Sequence, residues 1–178
     1  MIKLRNDELN RPDLTTAKKR KKIPVVVILD NVRSALNVGS IFRSADAFAI
    51  QSICLCGITA TPPNKEILKT AIGATESVDW IYYPTTEEAI IFFKKEGYKI
   101  VAVEQVQNSI SLADATKTIT PVALIFGHEM DGVDQKIVDE CDYCLEIPQS
   151  GIKHSINISV CAGIVCWEFY RNYFLTQQ

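Results

Sequence analysis

At 178 residues, 47% apolar and 22% charged, the chain has the size and composition of one globular domain able to bury its own core. Its net charge of −2 hides an asymmetry: residues 1–22 carry eight Lys/Arg against three acids, and the remainder is acidic. No apolar run reaches the roughly 18 residues of a membrane span, the N-terminus MIKLRNDELN is too polar for a signal peptide, and six cysteines are too sparse for a disulfide scaffold, so a cytoplasmic protein with no membrane partner is expected.

Residues 1–22 read as a short helical or irregular arm ended by Pro24, and residues 23–178 as the folded body. Lys18, Lys19, Arg20, Lys21 and Lys22 form a run suited to neutralising adjacent phosphates, or to keeping a solvated lead-in soluble. VVVILD (25–30) predicts a buried strand. After a turn, Val38, Ile41, Phe42, Ala45 and Phe48 recur about every 3.6 residues and predict a helix beginning near Asn37. SICLCG (52–57) is a second strand, followed by a loop holding a short helix around residues 66–72. A strand over 80–83 leads to TTEEAIIFFKKEG, a helix capped by Thr85 or Thr86 and stopped at Gly97, with Ala89, Ile90, Phe92 and Phe93 on its buried side. KIVAVEQV (99–106) is another strand and SLADA a single turn. PVALIFG (121–127) is a strongly apolar strand, DQKIVDEC a short helix, YCLEIP the last strand, and residues 155–174 a long final helix with Ser155 as its cap. Short apolar strands alternating with helices predict an α/β fold, a mostly parallel sheet covered by helices on both faces.

Ligands of such sheets bind beyond the C-terminal strand ends. The polar clusters fall there: residues 31–43 after the first strand, GHEMDG after PVALIFG, and QSGIKHSINIS after the last. Arg43 lies inside an apolar helical pattern, either as a surface charge or as a functional guanidinium. Gly127 and Gly132 permit a tight turn, and Glu129 between them offers a pocket carboxylate or a helix cap. Asn157 among small apolar residues calls for several hydrogen-bond partners, from a fixed loop or from a ligand. Neither a dinucleotide fingerprint nor a P-loop is present. Ser155 with His154 or His128 and Glu129 would be the parts of a hydrolase, but no GxSxG elbow accompanies them. The cysteine pairs Cys54/Cys56 and Cys161/Cys166 read as core, and Cys141/Cys144 as a lone CxxC without further ligands, so no metal is expected. Ala162, Gly163, Trp167 and Tyr170 suit a subunit interface or simple core packing.

Together, Asn37-x-Gly39-x-x-x-Arg43, Gly127-x-Glu129-x-x-Gly132, and Ile147-Pro148 through Gly151 with Ser155-Ile156-Asn157-Ile158-Ser159 resemble the three motifs of the SpoU/TrmH family of the SPOUT superfamily. The resemblance covers about residues 23–174. It implies an S-adenosylmethionine-dependent RNA ribose 2′-O-methyltransferase with a C-terminal trefoil knot, although knots are essentially absent from folds in general. It implies a cofactor site at Leu124, Phe126, Gly127, Glu129, Ile147, Pro148, Gly151, Ser155, Ile156 and Asn157. Arg43, Asn37, Glu129, Ser155 and Asn157 would be the catalytic set. The RNA contacts would be Arg33, Arg43 and the run from Lys18 to Lys22. A homodimer is implied, with Arg43 of one subunit reaching the cofactor site of the other. His128 stands where the family commonly has asparagine, and there is no separate N-terminal RNA-binding domain, which favours tRNA over rRNA as substrate. The rivals are an rRNA 2′-O-methyltransferase and a non-catalytic RNA-binding protein of the same fold.

Overall fold

The computed structural model describes residues 1–9, 12–115, 121–153 and 155–175. Seven strands, β1 (Ile23–Asp30), β2 (Ile50–Cys56), β3 (Asp79–Tyr83), β4 (Lys99–Val103), β5 (Ile110–Ser111), β6 (Val122–Phe126) and β7 (Tyr143–Glu146), form one sheet. Its order is β3-β2-β1-β6-β4-β7-β5, and every neighbouring pair is parallel. The helices are α1 (Leu14–Lys19), α2 (Ala35–Ala47), α3 (Lys65–Ala71), α4 (Ala74–Ser77), α5 (Thr86–Lys95), α6 (Leu112–Ala115), α7 (Gln135–Val138) and α8 (Ile158–Leu175). Arg11 of the basic arm and His154 of the hydrolase reading lie outside the described residues.

The unbroken apolar run of β1 follows from burial on both faces. Val25, Val27 and Leu29 pack with Phe42 of α2, Ile67 of α3 and Val165 of α8. Val26 and Ile28 pack with Ile90 and Phe93 of α5 and Ile137 of α7. Each fully buried Ile, Leu or Phe contributes about 1.5–3 kcal/mol.

Three of the boundaries that depart from the sequence reading have a local cause. Helix α2 starts at Ala35, before Asn37, because Ser34 Oγ accepts the Asn37 N–H at 3.3 Å. Helix α8 starts at Ile158, and the cap is Asn157 rather than Ser155: Asn157 Oδ1 accepts from Ser159 N at 2.9 Å, and its carbonyl accepts from Cys161 N at 2.9 Å. Strand β4 ends at Val103, since residues 106–109 turn with Asn108 at φ 63° and Ser109 N bonded to Val106 O. The segment read as one turn at SLADA also contributes β5, a two-residue edge strand on β7. Thr85 is the cap of α5, accepting from Glu88 N, and Gly97 follows it at φ 83°.

Candidate functional site

The site lies beyond the C-terminal ends of four adjacent strands, β1, β6, β4 and β7. After β1, Asn31 turns the chain at φ 56° and its Oδ1 accepts from Ile58 N at 3.2 Å. Val32 N is held by Thr59 Oγ1 at 2.9 Å. This fixed turn presents the Arg33 and Ser34 N–H groups ahead of α2.

After β6, residues 127–132 close on themselves: His128 N donates to Gly132 O at 3.0 Å, and Gly132 N to His128 O at 2.9 Å. The closure is tight enough that a Cβ on Gly127 would stand 2.2 Å from the Gly132 carbonyl. His128 Nδ1 accepts from Met130 N at 3.2 Å and Asp131 N at 3.3 Å, the job an asparagine side-chain oxygen performs in an Asx turn. The same nitrogen is 3.0 Å from Asp131 Oδ2, a contact that attracts only when Nδ1 carries a proton, in place of its acceptor role toward the two N–H groups.

The turn projects Glu129 onto the start of α2. Glu129 Oε2 accepts from Arg33 N at 3.0 Å, and Oε1 from Ser34 N at 2.9 Å and Asn37 Nδ2 at 3.1 Å. A carboxylate there also complements the positive end of the helix. Burial pushes the Glu129 carboxyl up, but the Ser34, Arg33 and Asn37 bonds outweigh it and hold the group below its ordinary range. Asn37 Oδ1 in turn accepts from Asn157 Nδ2 at 3.2 Å. Asn157 is exposed, not buried, and its partners are Asn37 and the α8 N-terminus. The three sequence clusters are therefore one hydrogen-bonded chain, Glu129–Asn37–Asn157.

Beside that chain lies a cavity of about 450 Å³, lined among others by Phe126, Gly127, Glu129, Ile147, Ser155, Ile156 and Asn157. Leu124, Pro148 and Gly151 do not line it: Leu124 is core, while Pro148 and Gly151 are exposed. Its charged side chains are carboxylates, Glu104, Glu129, Asp131 and Glu146, with no lysine or arginine among the lining residues. Glu104 was not singled out from sequence. It follows β4 and binds Val133 N at 2.9 Å and Gln105 N at 2.9 Å, tying the turn after β6 to β4; the sequence carries no signal for it, since the strand read over 99–106 runs through this position.

Arg43 is absent from this cavity. It is exposed on α2 and lines a different recess, between α2 and α3. Gly39 sets how closely those helices pack, since a Cβ there would meet Thr70 Oγ1 at 2.2 Å and the Ile67 carbonyl at 2.3 Å. Arg33 gives the site its backbone N–H, and its exposed residue lies at the rim. In the arm, Lys22 Nζ reaches Ser77 O at 3.5 Å, and Lys21 lies over the Tyr173 ring. Lys18, Lys19 and Arg20 are exposed.

With His128 Nδ1 given to backbone N–H groups and Glu129 to α2, no Ser–His–acid relay is assembled among the described residues. Burial pushes the Cys141 and Cys161 thiols up to about 12, and raises Cys144 as well. They are protonated at neutral pH, which suits packing rather than nucleophilic or ligand chemistry. Among the described residues no group of three His, Cys, Asp or Glu could hold a metal ion, and no helix is long and apolar enough to cross a membrane.

The sequence model of the SpoU rRNA Methylase family matches residues 24–167. A 23S rRNA (guanosine-2′-O-)-methyltransferase, RlmB, of Coxiella burnetii is 31% identical over 159 residues, 89% of this chain and 62% of that protein. A TrmH family tRNA/rRNA methyltransferase of Staphylococcus haemolyticus is 28% identical, over 89% of this chain and 63% of its own length. The chain thus spans less than two thirds of these curated relatives. Among solved structures, the A. aeolicus TrmH/SpoU tRNA modifying enzyme superposes with a TM-score of 0.82 at 25% identity, over 92% of this chain and 82% of that one. An AdoMet-bound rRNA methyltransferase from Sinorhizobium meliloti gives 0.78 at 27% identity, over 88% and 60%.

Proposed function

This chain belongs to the SpoU rRNA methylase family, and we propose that it transfers a methyl group from S-adenosylmethionine to a ribose 2′-hydroxyl of RNA. The observation that carries the reading is the Glu129–Asn37–Asn157 chain beside an anionic cavity. The cavity fits this cofactor on its own terms. About 450 Å³ is within the range of small-ligand sites, apolar Phe126, Leu145, Ile147 and Ile156 offer a wall for an adenine, and the carboxylates favour a sulfonium and an ammonium. The same carboxylates repel a di- or triphosphate nucleotide. Glu104 and Glu146, at the ends of β4 and β7, are the groups to hold the cationic end, while backbone around Gly127 and Ile147 would take the base.

When bound, S-adenosylmethionine supplies an electrophilic methyl group for in-line attack by the ribose oxygen. The chain's own contribution is alignment and charge. Glu129 and Asn157 fix the Asn37 amide from both sides, holding the rim of the pocket in one geometry. A guanidinium gives up its proton at pH 7 only at a cost of about 7 kcal/mol. Arg43 therefore serves as a fixed positive charge, binding the phosphate next to the target ribose and stabilising the oxyanion as it develops.

Because Arg43 lines the α2–α3 recess and not the cavity of its own chain, the active assembly is a homodimer in which each Arg43 serves the opposite pocket. The exposed apolar residues Leu36 of α2 and Val160, Ile164 and Trp167 of α8 support that assembly, with Trp167 set against Phe48 at 5.6 Å between ring centroids. Strand order supports the knotted topology, since β7 enters between β4 and β5, both laid down before it. Residues 1–22 form an RNA-capturing arm and 23–178 the catalytic body. tRNA is the favoured substrate, in line with the match over 82% of the A. aeolicus tRNA modifying enzyme. rRNA is the second reading, favoured by the RlmB likeness.

The test is transfer of label from S-adenosylmethionine to purified tRNA and rRNA, with the methylated ribose mapped. Arg43→Ala is expected to abolish transfer while cofactor binding persists. Cofactor binding without transfer to any RNA, or full turnover by the variant, overturns the reading.

A further inference from the structure

The recess between α2 and α3 has a volume of about 470 Å³ and brings a second cation, Lys69, to the same hollow as Arg43. These two are opposite in character to the carboxylates of the cofactor cavity. Among the described residues, neither forms an ion pair with a carboxylate. The nearest acids along the two helices do not neutralise them: Asp46 accepts the Ser77 hydroxyl, and Glu66 lies one turn before Lys69 without an ion pair. Hydroxyls in the recess are turned to the backbone, with Thr70 Oγ1 donating to Leu36 O at 2.9 Å and Ser44 Oγ to Ser40 O at 3.3 Å. The lysine and arginine are thus its free ligating groups. Phe48 and Ile72 line the same space and add apolar surface. Ile72 is held in the left-handed region at φ 49° and stands 67% exposed at the end of α3.

Two unpaired cations converging on a recess with apolar walls match a ribose-phosphate unit: anionic oxygens for the cations, sugar or base for the walls. The spacing of the cations depends on Gly39, because any side chain there would push α3 away from α2. We propose that the α2–α3 recess binds an RNA backbone phosphate and that Lys69, with Arg43, positions the strand there. This rests on the reading of the protein as an RNA methyltransferase and extends its RNA-contacting surface to α3. Lys69 is a positioning residue: it anchors the backbone and leaves the reacting hydroxyl to Arg43.

Loss of one phosphate contact removes one unit of counterion release. For Lys69→Ala, the slope of log affinity against log salt should therefore fall by roughly 0.7–0.9, and RNA affinity at 0.1 M salt by roughly 5–8-fold. The measurement is filter binding of full-length protein to a tRNA transcript across a salt series, with steady-state methylation and S-adenosylmethionine titration in parallel. KM for RNA should rise in step with the binding constant while kcat and cofactor affinity hold, because the lysine contributes equally to ground and transition states. Lys69→Glu should weaken binding further, and Lys69→Arg should restore both affinity and slope, which a packing role of the lysine stem would not require. An unchanged salt slope in Lys69→Glu, with wild type active on the same RNA, overturns the proposal. So does a shift of Lys69→Glu from dimer to monomer in sedimentation with the RNA slope intact, which would make the recess a subunit contact. A wild type that neither binds S-adenosylmethionine nor methylates RNA would instead defeat the underlying functional reading, so the two failures are separable.

Discussion

Glu129→Gln removes one charge and turns one acceptor into a donor. The wild-type carboxylate accepts three hydrogen bonds, two on Oε1 from Ser34 N and Asn37 Nδ2 and one on Oε2 from Arg33 N. With the glutamine oxygen kept at the Oε1 position, its NH2 faces the Arg33 N–H, donor against donor. A hydrogen bond to a charged group contributes about 1.5–3 kcal/mol, but Glu129 is exposed and solvent screens it, so a loss of about 1–2 kcal/mol is expected. For a chain of this size that is roughly 2–8 °C in Tm. The pH dependence has a definite sign. The folded-state pKa is depressed, so the stabilisation is fully present above the unfolded pKa of about 4.3 and is lost as pH falls through the folded value. Thermal melts of wild type and variant should differ most at pH 7, with the gap narrowing once pH falls below about 4.3 and closing only below the depressed folded value. Equal melting temperatures at pH 7, or a gap that stays constant down to pH 3.5, would refute the account of Glu129 as the clasp on α2.

Gly39→Ala places a methyl within 2.2 Å of Thr70 Oγ1 and 2.3 Å of the Ile67 carbonyl, and should cost about 1–3 kcal/mol in urea unfolding with m unchanged. Asp30, buried at the end of β1, has its carboxyl raised by burial, against the hydrogen bonds from Thr86 and Asn31. A raised acid pKa means stability is lost as pH rises from the unfolded toward the folded value. Asp30→Asn, which keeps an oxygen for both donors, should therefore melt higher than wild type at pH 8 and converge with it in acid. Deleting residues 1–20 should leave Tm within a few degrees and make the salt dependence of RNA affinity shallower by roughly 0.7–0.9 for each phosphate the arm neutralises; an identical slope would remove the arm from the RNA surface.

Elements buried on both faces were legible because their apolar runs carry their own signal: 25–30 and 122–126 both lie in the sheet interior. Boundaries at the site were less legible. Asn31, Ser34 and Asn37 all have the chemistry of a helix cap, and tertiary contacts decide among them: Ile58 takes Asn31, while Glu129 pins the N–H groups of residues 33 and 34. For α8 the sequence reading has Ser155 as the cap, and the bonds Asn157 accepts from Ser159 N and Cys161 N set the cap two residues later. Strand β5 carries no periodicity in two residues and exists through pairing with β7. Four of the motif residues, Asn37, Glu129, Ser155 and Asn157, meet at the cavity rim, and only geometry separates Arg43, on the α2–α3 recess, from them. Glu104, a single acid after a strand, gave no pattern to notice.

The bond between Asn37 and Asn157 joins residues 120 positions apart. At about 5–20 residues per second of synthesis, roughly 6–24 s separate the emergence of the two from the ribosome. Until residues 122–129 emerge, the start of α2 lacks the Glu129 clasp and β1 lacks β6 at its side, and the Asn157 amide is missing through the whole interval. The pocket is therefore a late product of folding. Contacts this distant in sequence also slow the search for the native state. A nascent chain shorter than about 157 residues can display the basic run at 18–22 but not the Glu129–Asn37–Asn157 chain.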